Sequence, residues 1–422
     1  YNENTIVPVY SHDEWNSDDY VSPSLDENFN KSFFEQFSQL QKIAPVVALL
    51  SNMQENSEFC QDSEGLKDCY IFFDSINCRD VYYSVRIYNS SSCCDVYWVM
   101  NSELLYDCVY MFSCYNTKYS FNCKQVSDSS FLYDCRNTQN CFMSFGLRNQ
   151  QYCVYNKQYT KDEYENFINK IDFENYEEMM KYKKYFLEEI VSKNRQNVNL
   201  LDNCENSNGA YLKNCANVDA AYESFELKDS YNVFQCASGR DVLHAFMCND
   251  RVELCFQSVA TGIDAYNTRN CVFTWHSSDM EYCYLCINCS NCFGCIGLKR
   301  KSYCIFNKQY SKEEYFEKRD LLIESMKKAA EYGEFFPFNL SPFKYEDTIA
   351  YDLFENNKAG IFYKAFNNVD KNIVKDNDEV CIVCSKRFRF VDSELKFYKE
   401  KHIPKPKACF ACRYKQRMEI MY

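Results

Sequence analysis

The chain has 422 residues, a formal net charge of −13 and 46% apolar content, enough to bury a core in two or three domains. Only 9 glycines stand beside 36 tyrosines and 34 phenylalanines, and there is no P-loop or dinucleotide fingerprint, which argues against a glycine-rich phosphate cradle. The 27 cysteines are odd in number and their clearest pattern is that of metal ligands, so a reducing cytoplasm is expected rather than a disulfide framework.

Residues 1–52 read as an N-terminal segment, irregular and acidic at first. Ser32-Phe-Phe-Glu35 then spells a capping box ahead of Phe33, Phe37, Leu40 and Ala44 on one face, a helix expected to cap the start of the 53–159 segment. The longest apolar run, Ile43 to Leu50, is too short to span a bilayer, and no membrane partner is expected.

Residues 53–159 repeat a phrase ending in Asp-Cys or Asn-Cys, as at Cys69, Cys108, Cys123 and Cys135. The steps run about 12 to 15 residues, too short for a helical repeat and right for one coil of a small β-solenoid. Cysteine is small and easily buried, so it is placed inward, with Tyr, Asn and Ser outward or stacked in ladders. Residues 160–200 form a charged helical insert, and 201–310 a second solenoid half with looser phrases at Cys204, Cys215, Cys255 and Cys271.

The two halves close on the same text. Residues 141–165 and 292–316 are identical at 13 of 25 positions, including Asn-Lys-Gln-Tyr, and each runs into a capping box, Thr160 to Glu163 and Ser311 to Glu314. Residues 311–335 are therefore a second capping helix; 336–378 read as an extended acidic strap, and 379–422 as the C-terminal domain. The fold class is mainly β: a duplicated cysteine-lined β-solenoid, or β-helix, with helical caps and inserts.

The strongest chemical signal is the pair of C-x-x-C knuckles, Cys381/Cys384 and Cys409/Cys412, the four-thiolate arrangement of one structural Zn²⁺ in a zinc ribbon. Between Cys381 and Met418 eleven basic residues face three acidic ones, a formal +8 against −21 for the rest. Lys386, Arg387, Arg389, Lys405, Lys407, Arg413, Lys415 and Arg417 are candidate phosphate contacts, with Phe388 and Tyr414 as rings for stacking on bases. A ribbon that docks on its own acidic body is the competing reading.

The run Cys283, Cys286, Cys289, Cys292, Cys295 resembles an iron–sulfur ligand series, but its twin reads Leu132, Cys135, Thr138, Cys141, Ser144: the spacing of three survives and most thiols do not. An interior ladder of small residues is the better expectation, with a metal-cluster or redox role as the alternative. Four histidines and no recognisable hydrolase, protease or deaminase motif leave catalysis without footing, and no enzyme activity is expected.

The phrases at 33–49, 292–318, 333–348 and 384–413 resemble an uncharacterised family of cysteine-rich zinc-ribbon proteins of the candidate phyla radiation, or Patescibacteria. The resemblance implies a ribbon metal on Cys381, Cys384, Cys409 and Cys412. Two positions depart from that pattern: Ser385 stands where a glycine is usual, and Phe410 where a proline is usual. The expected function is an RNA-binding scaffold docking through its basic ribbon, ribosome-associated or regulating translation. The alternative is a scaffold whose Tyr-rich solenoid surface binds protein partners.

Overall fold

In this computed structural model the described residues are 5, 7–194, 201–219, 221–230, 234–240, 246–252, 260–261, 273–345 and 377–421. The chain is mainly β with several sheets, and it divides into two compact units: Tyr1–Ala48 with Gln196–Phe343, and Leu49–Arg195 with Lys344–Tyr422. Helices run over His12–Asn16 (α1), Phe33–Gln41 (α2), Lys161–Ile168 (α3), Tyr176–Tyr185 (α4), Lys312–Lys328 (α5), Asp392–Glu400 (α6) and Phe410–Met421 (α7).

The unit that begins at Leu49 is built on an 11-stranded sheet, parallel except for its final return at Cys153 and Gln158. Its step is twelve residues: Ser51 pairs with Ser63, Cys60 with Phe72, Val81 with Cys93 and Met111 with Cys123. Every third residue from Met53 to Tyr155 has a positive φ, between 44° and 67°. That left-handed conformation costs roughly 1–2 kcal/mol for most L-residues and is best tolerated by Gly, Asn and Asp. Here is the physical content of the Asp-Cys and Asn-Cys phrases. Asp68, Asp107, Asn122, Asp134 and Asn140 take the turn, and the cysteine after each enters the core. Corner amides also link successive steps, as where Asn116 donates to Asp128 at 2.9 Å.

Buried positions therefore recur every three residues, and Cys60, Phe72, Ser84, Val96, Cys108, Ser120, Leu132 and Ser144 fall in one column. Serine, expected outward, is a core residue here. Sides only three residues long bring backbone groups into the interior, where each needs a partner. Ser102 Oγ donates to Met100 O at 2.8 Å and accepts from Cys114 N–H at 3.0 Å. Cys108 Sγ lies 3.3 Å from Tyr106 O and 3.5 Å from Thr117 O, so its S–H has two acceptors. Cysteine thus fits for its donor as well as its size.

The other unit carries a second parallel ladder, described in pieces, in which Ser278 pairs with Ser290 and Cys292 with Cys304. Cys255, Cys271 and the acidic segment 346–376 lie outside the described residues. One step is a residue short, Leu201 pairing with Leu212, and Gly209 sits within it at φ 150°, where a Cβ would lie 1.9 Å from Ala221 O.

The twin motifs close both ladders alike. Asn156 donates to Phe145 O at 2.7 Å and accepts from its N–H at 2.8 Å; Asn307 does the same to Ile296, at 2.8 Å for both bonds. Both capping boxes form, at Thr160 with Glu163 and at Ser311 with Glu314.

The helix expected over the start of the 53–159 ladder is elsewhere. α2 covers the end of the other ladder, Phe33 meeting Tyr282, Phe293 and Phe306 at ring distances of 5.0, 5.5 and 5.4 Å. Leu40 and Ala44 join the same core as Leu322 and Met326 of α5. The twin positions of that aromatic trio are Phe131, Phe142 and Tyr155, and the helical insert covers those: Phe186 meets Phe131 at 5.7 Å, Tyr182 meets Phe142 at 5.4 Å and Tyr185 meets Tyr155 at 5.9 Å. Each ladder ends on three aromatic rings at twin positions, and a different helix packs on each set.

Candidate metal centre

Asp378–Val380 and Arg387–Arg389 form an antiparallel hairpin that carries the first knuckle at its turn. Cys381 N–H donates to Lys386 O at 2.8 Å, and Ser385 N–H to Cys381 O at 2.9 Å. Ser385 has φ 57°, a left-handed turn that glycine adopts most easily. The second knuckle opens α7: Cys409 precedes its first residue and Cys412 lies in its first turn. Phe410 stacks on Tyr83 at 5.1 Å.

The four Sγ atoms of Cys381, Cys384, Cys409 and Cys412 all lie within 4.8 Å of one another, and Cys384 and Cys409 are 3.8 Å apart. A tetrahedral site with metal–sulfur bonds of about 2.3 Å needs sulfurs about 3.8 Å apart, so the donor set fits one four-coordinate thiophilic ion. The Cys409 thiol is pushed down to about 5 because the Cys412 thiol, and behind it Cys381 and Cys384, can donate to its thiolate. Cys412 is pushed up by the same contact. Thiolates this close repel one another, and a bound cation would stabilise all four together. His402, between the knuckles, pairs instead with Glu174 at 2.6 Å.

The basic residues around the knuckles are largely spent on the protein itself. Arg413, expected on phosphate, is buried: its Nε donates to Asp95 Oδ2 at 2.7 Å and its Nη1 to Ala408 O at 2.7 Å. Arg417 is 1% exposed, 3.1 Å from Asp95 and 3.7 Å from Asp107. Phe388 and Tyr414 are buried too and offer no ring to a base. Arg389 is paired with Asp378 at 2.6 Å. Lys405 and Lys407 are exposed and paired with Glu379 at 2.7 Å and Glu177 at 2.5 Å, while Lys415 lies 3.9 Å from Glu419. Lys386 and Arg387 are half-buried on the hairpin side.

Arg413 and Arg417 are drawn inward by buried acids. Asp95 and Asp107 are left-handed corner residues in one column with Tyr83, Tyr119 and Phe131, and carboxylates buried there need counter-charge. Lys183 of α4 also bonds Asp107. Stepping the sequence by twelve puts Tyr83, Asp95, Asp107 and Tyr119 in register, a signal that a step of 12 to 15 blurs.

Glu394 of α6 completes the cluster, accepting from Tyr83 Oη at 2.6 Å and Tyr398 Oη at 2.7 Å. Burial raises its pKa to about 7, helped by Asp95 and opposed by Arg413 and the two tyrosines. The folded chain thus holds a proton that the unfolded chain releases near 4.5. The resulting stability is full below about pH 4.5 and is lost as pH rises through about 7. Burial also pushes the Asp62 carboxyl of the same unit up to about 7, so Glu394→Gln is expected to reduce the slope, read as the difference in urea midpoint between about pH 5 and 7.5, and not to abolish it; an unchanged slope would show that Glu394 is not a source of it.

The run Cys283 to Cys295 is core, its members no more than 3% exposed and packed with Met280 and Leu298. Among the described residues, only the C-terminal four form a set of three or more ligand atoms within 4.8 Å. Also among them, no helix is long and apolar enough to cross a membrane. No protein-family model matches the chain, and a search of curated proteins finds no match.

Proposed function

We propose that the protein is a non-enzymatic scaffold: a duplicated, cysteine-lined β-solenoid whose C-terminal zinc ribbon clasps the solenoid half it rests on. The observation that carries this reading is the burial of Arg413 and Arg417 on Asp95 and Asp107, which commits the most basic helix to the body of its own unit. The twelve-residue step, the left-handed corner at every third residue and the buried Cys and Ser columns support the solenoid. Four clustered thiols in two knuckles favour zinc over harder ions. In this reading the cysteines are core residues and metal ligands rather than a disulfide framework, which suits a reducing cytoplasm. Protein partners on the exposed solenoid faces are the function this leaves open to the scaffold.

A second reading, an RNA-binding factor on the ribosome, is favoured by the exposed Lys396, Lys399, Lys405 and Lys407 of the same module. Sedimentation of the full chain in a native lysate separates the two. The scaffold should stay off ribosomal particles at low and high salt. Comigration at low salt that is lost with rising salt, and lost in a Lys405→Glu/Lys407→Glu variant, would establish the RNA reading instead.

A further inference from the structure

The joint between the C-terminal module and the ladder beneath it is incompletely satisfied. Asp95 Oδ1, Asp107 Oδ1, Arg413 Nη2, Arg417 Nε and Arg417 Nη2 are buried without a hydrogen-bond partner. Arg417 lies 3.1 Å from Asp95 as an ion, yet its N–H groups are not aligned on that carboxylate. Buried ion pairs repay their desolvation only where the geometry is good, so these ions need other contacts to hold the module down. Rings contribute: Phe410 on Tyr83, Phe397 on Tyr82 at 5.3 Å and Tyr398 on Tyr106 at 6.3 Å. The remaining constraint is the aim of α7, whose start carries Cys409 and Cys412. Arg413 follows Cys412 directly and Arg417 comes one turn later on the same face, so whatever fixes the knuckle fixes the direction of both guanidiniums.

We propose that the module is a metal-set clasp: with its four cysteines joined through one ion, α7 is held on Asp95 and Asp107, and when the ion leaves the module lifts and uncovers them. The clasp rests on the zinc reading above. It also explains the adjacent cysteines 93 and 94. Neighbours in a strand face opposite ways: Cys93 belongs to the core column, whereas Cys94 points outward under the module, its Sγ 3.5 Å from Tyr398 Oη. Both are fully buried, and Cys94 is the one that meets the module. It is a built-in reporter of the joint.

The test uses the full chain under reducing conditions. Its metal content is measured first, then iodoacetamide is pulsed before and after treatment with a zinc chelator, and labelling of Cys93 and Cys94 is read by peptide mass spectrometry. Removing the ion is expected to raise labelling of Cys94 at least tenfold and leave Cys93 unchanged. In a metal-loaded Asp95→Asn/Asp107→Asn variant, Cys94 should label while the ion is retained, because the acidic pair and not the knuckle has been weakened. A chain that holds no metal as purified overturns the zinc reading. A chain that holds one ion and still protects Cys94 after losing it overturns the clasp alone, as does a parallel rise of Cys93 and Cys94, which would mean loss of the whole ladder. Protection of Cys94 in the double variant overturns the part given to the acidic pair.

Discussion

Asp95→Ala is expected to lower the stability of the unit formed by the first ladder and the C-terminal module by about 3–5 kcal/mol, the cost of breaking a buried ion cluster by removing one partner. Asp95 is 1% exposed and takes both Arg413 and Arg417, so its loss leaves two buried guanidiniums short of counter-charge. Asp107, which also serves Lys183, cannot compensate for both. Replacing Asp95, Arg413 and Arg417 together by apolar residues of similar size should cost far less, because no orphan charge remains. Urea unfolding of the three proteins decides the matter: a loss below about 1 kcal/mol for Asp95→Ala would show that the rings and the knuckle hold the joint without the ions.

Phe33→Ala should produce the other large loss, about 3–5 kcal/mol, confined to the other unit. Phe33 is 1% exposed and fits among Tyr282, Phe293 and Phe306, with Gly294 beneath it, where a Cβ would lie 2.9 Å from the ring. Truncation empties the seat of α2. Because the chain has two compact units, unfolding need not be a single transition. The expected result is one transition moved and one left in place, while Phe186→Ala, which strips the cover from Phe121 and Phe131, should move the other. If both shift together under either substitution, the units unfold as one.

The duplication, both capping boxes at the twin motifs and the four-cysteine cluster were legible in the sequence because each is local: a few residues at fixed spacing make the contact. The inward Cys283 to Cys295 run was legible from its twin. Two things were not. The partner of α2 was hidden because Phe131, Phe142 and Tyr155 present the same kind of seat as Tyr282, Phe293 and Phe306, and composition does not say which helix takes which. The burial of Arg413 and Arg417 was hidden because their partners, Asp95 and Asp107, lie about 300 residues away and read as ordinary turn acids. Serine was misplaced for a related reason: polarity suggests solvent, whereas in sides of three residues it is the interior backbone that needs a hydroxyl.

The step of the ladder also constrains how such a chain can change length. With a corner at every third residue and a register of twelve, an insertion of one residue in the first ladder would turn the later core side chains outward unless a local bulge absorbed it. Three residues would restore inward facing but rotate every column by one side, setting Asp95 and Asp107 beneath different neighbours. Twelve alone keeps every column, so tolerated length changes within the ladder should come in whole steps. The other ladder departs from twelve in both directions: Leu201 pairs with Leu212, where a residue without a Cβ, Gly209, takes up the difference, and Cys248 pairs with Thr261 and Ala260 with Phe273 across thirteen residues.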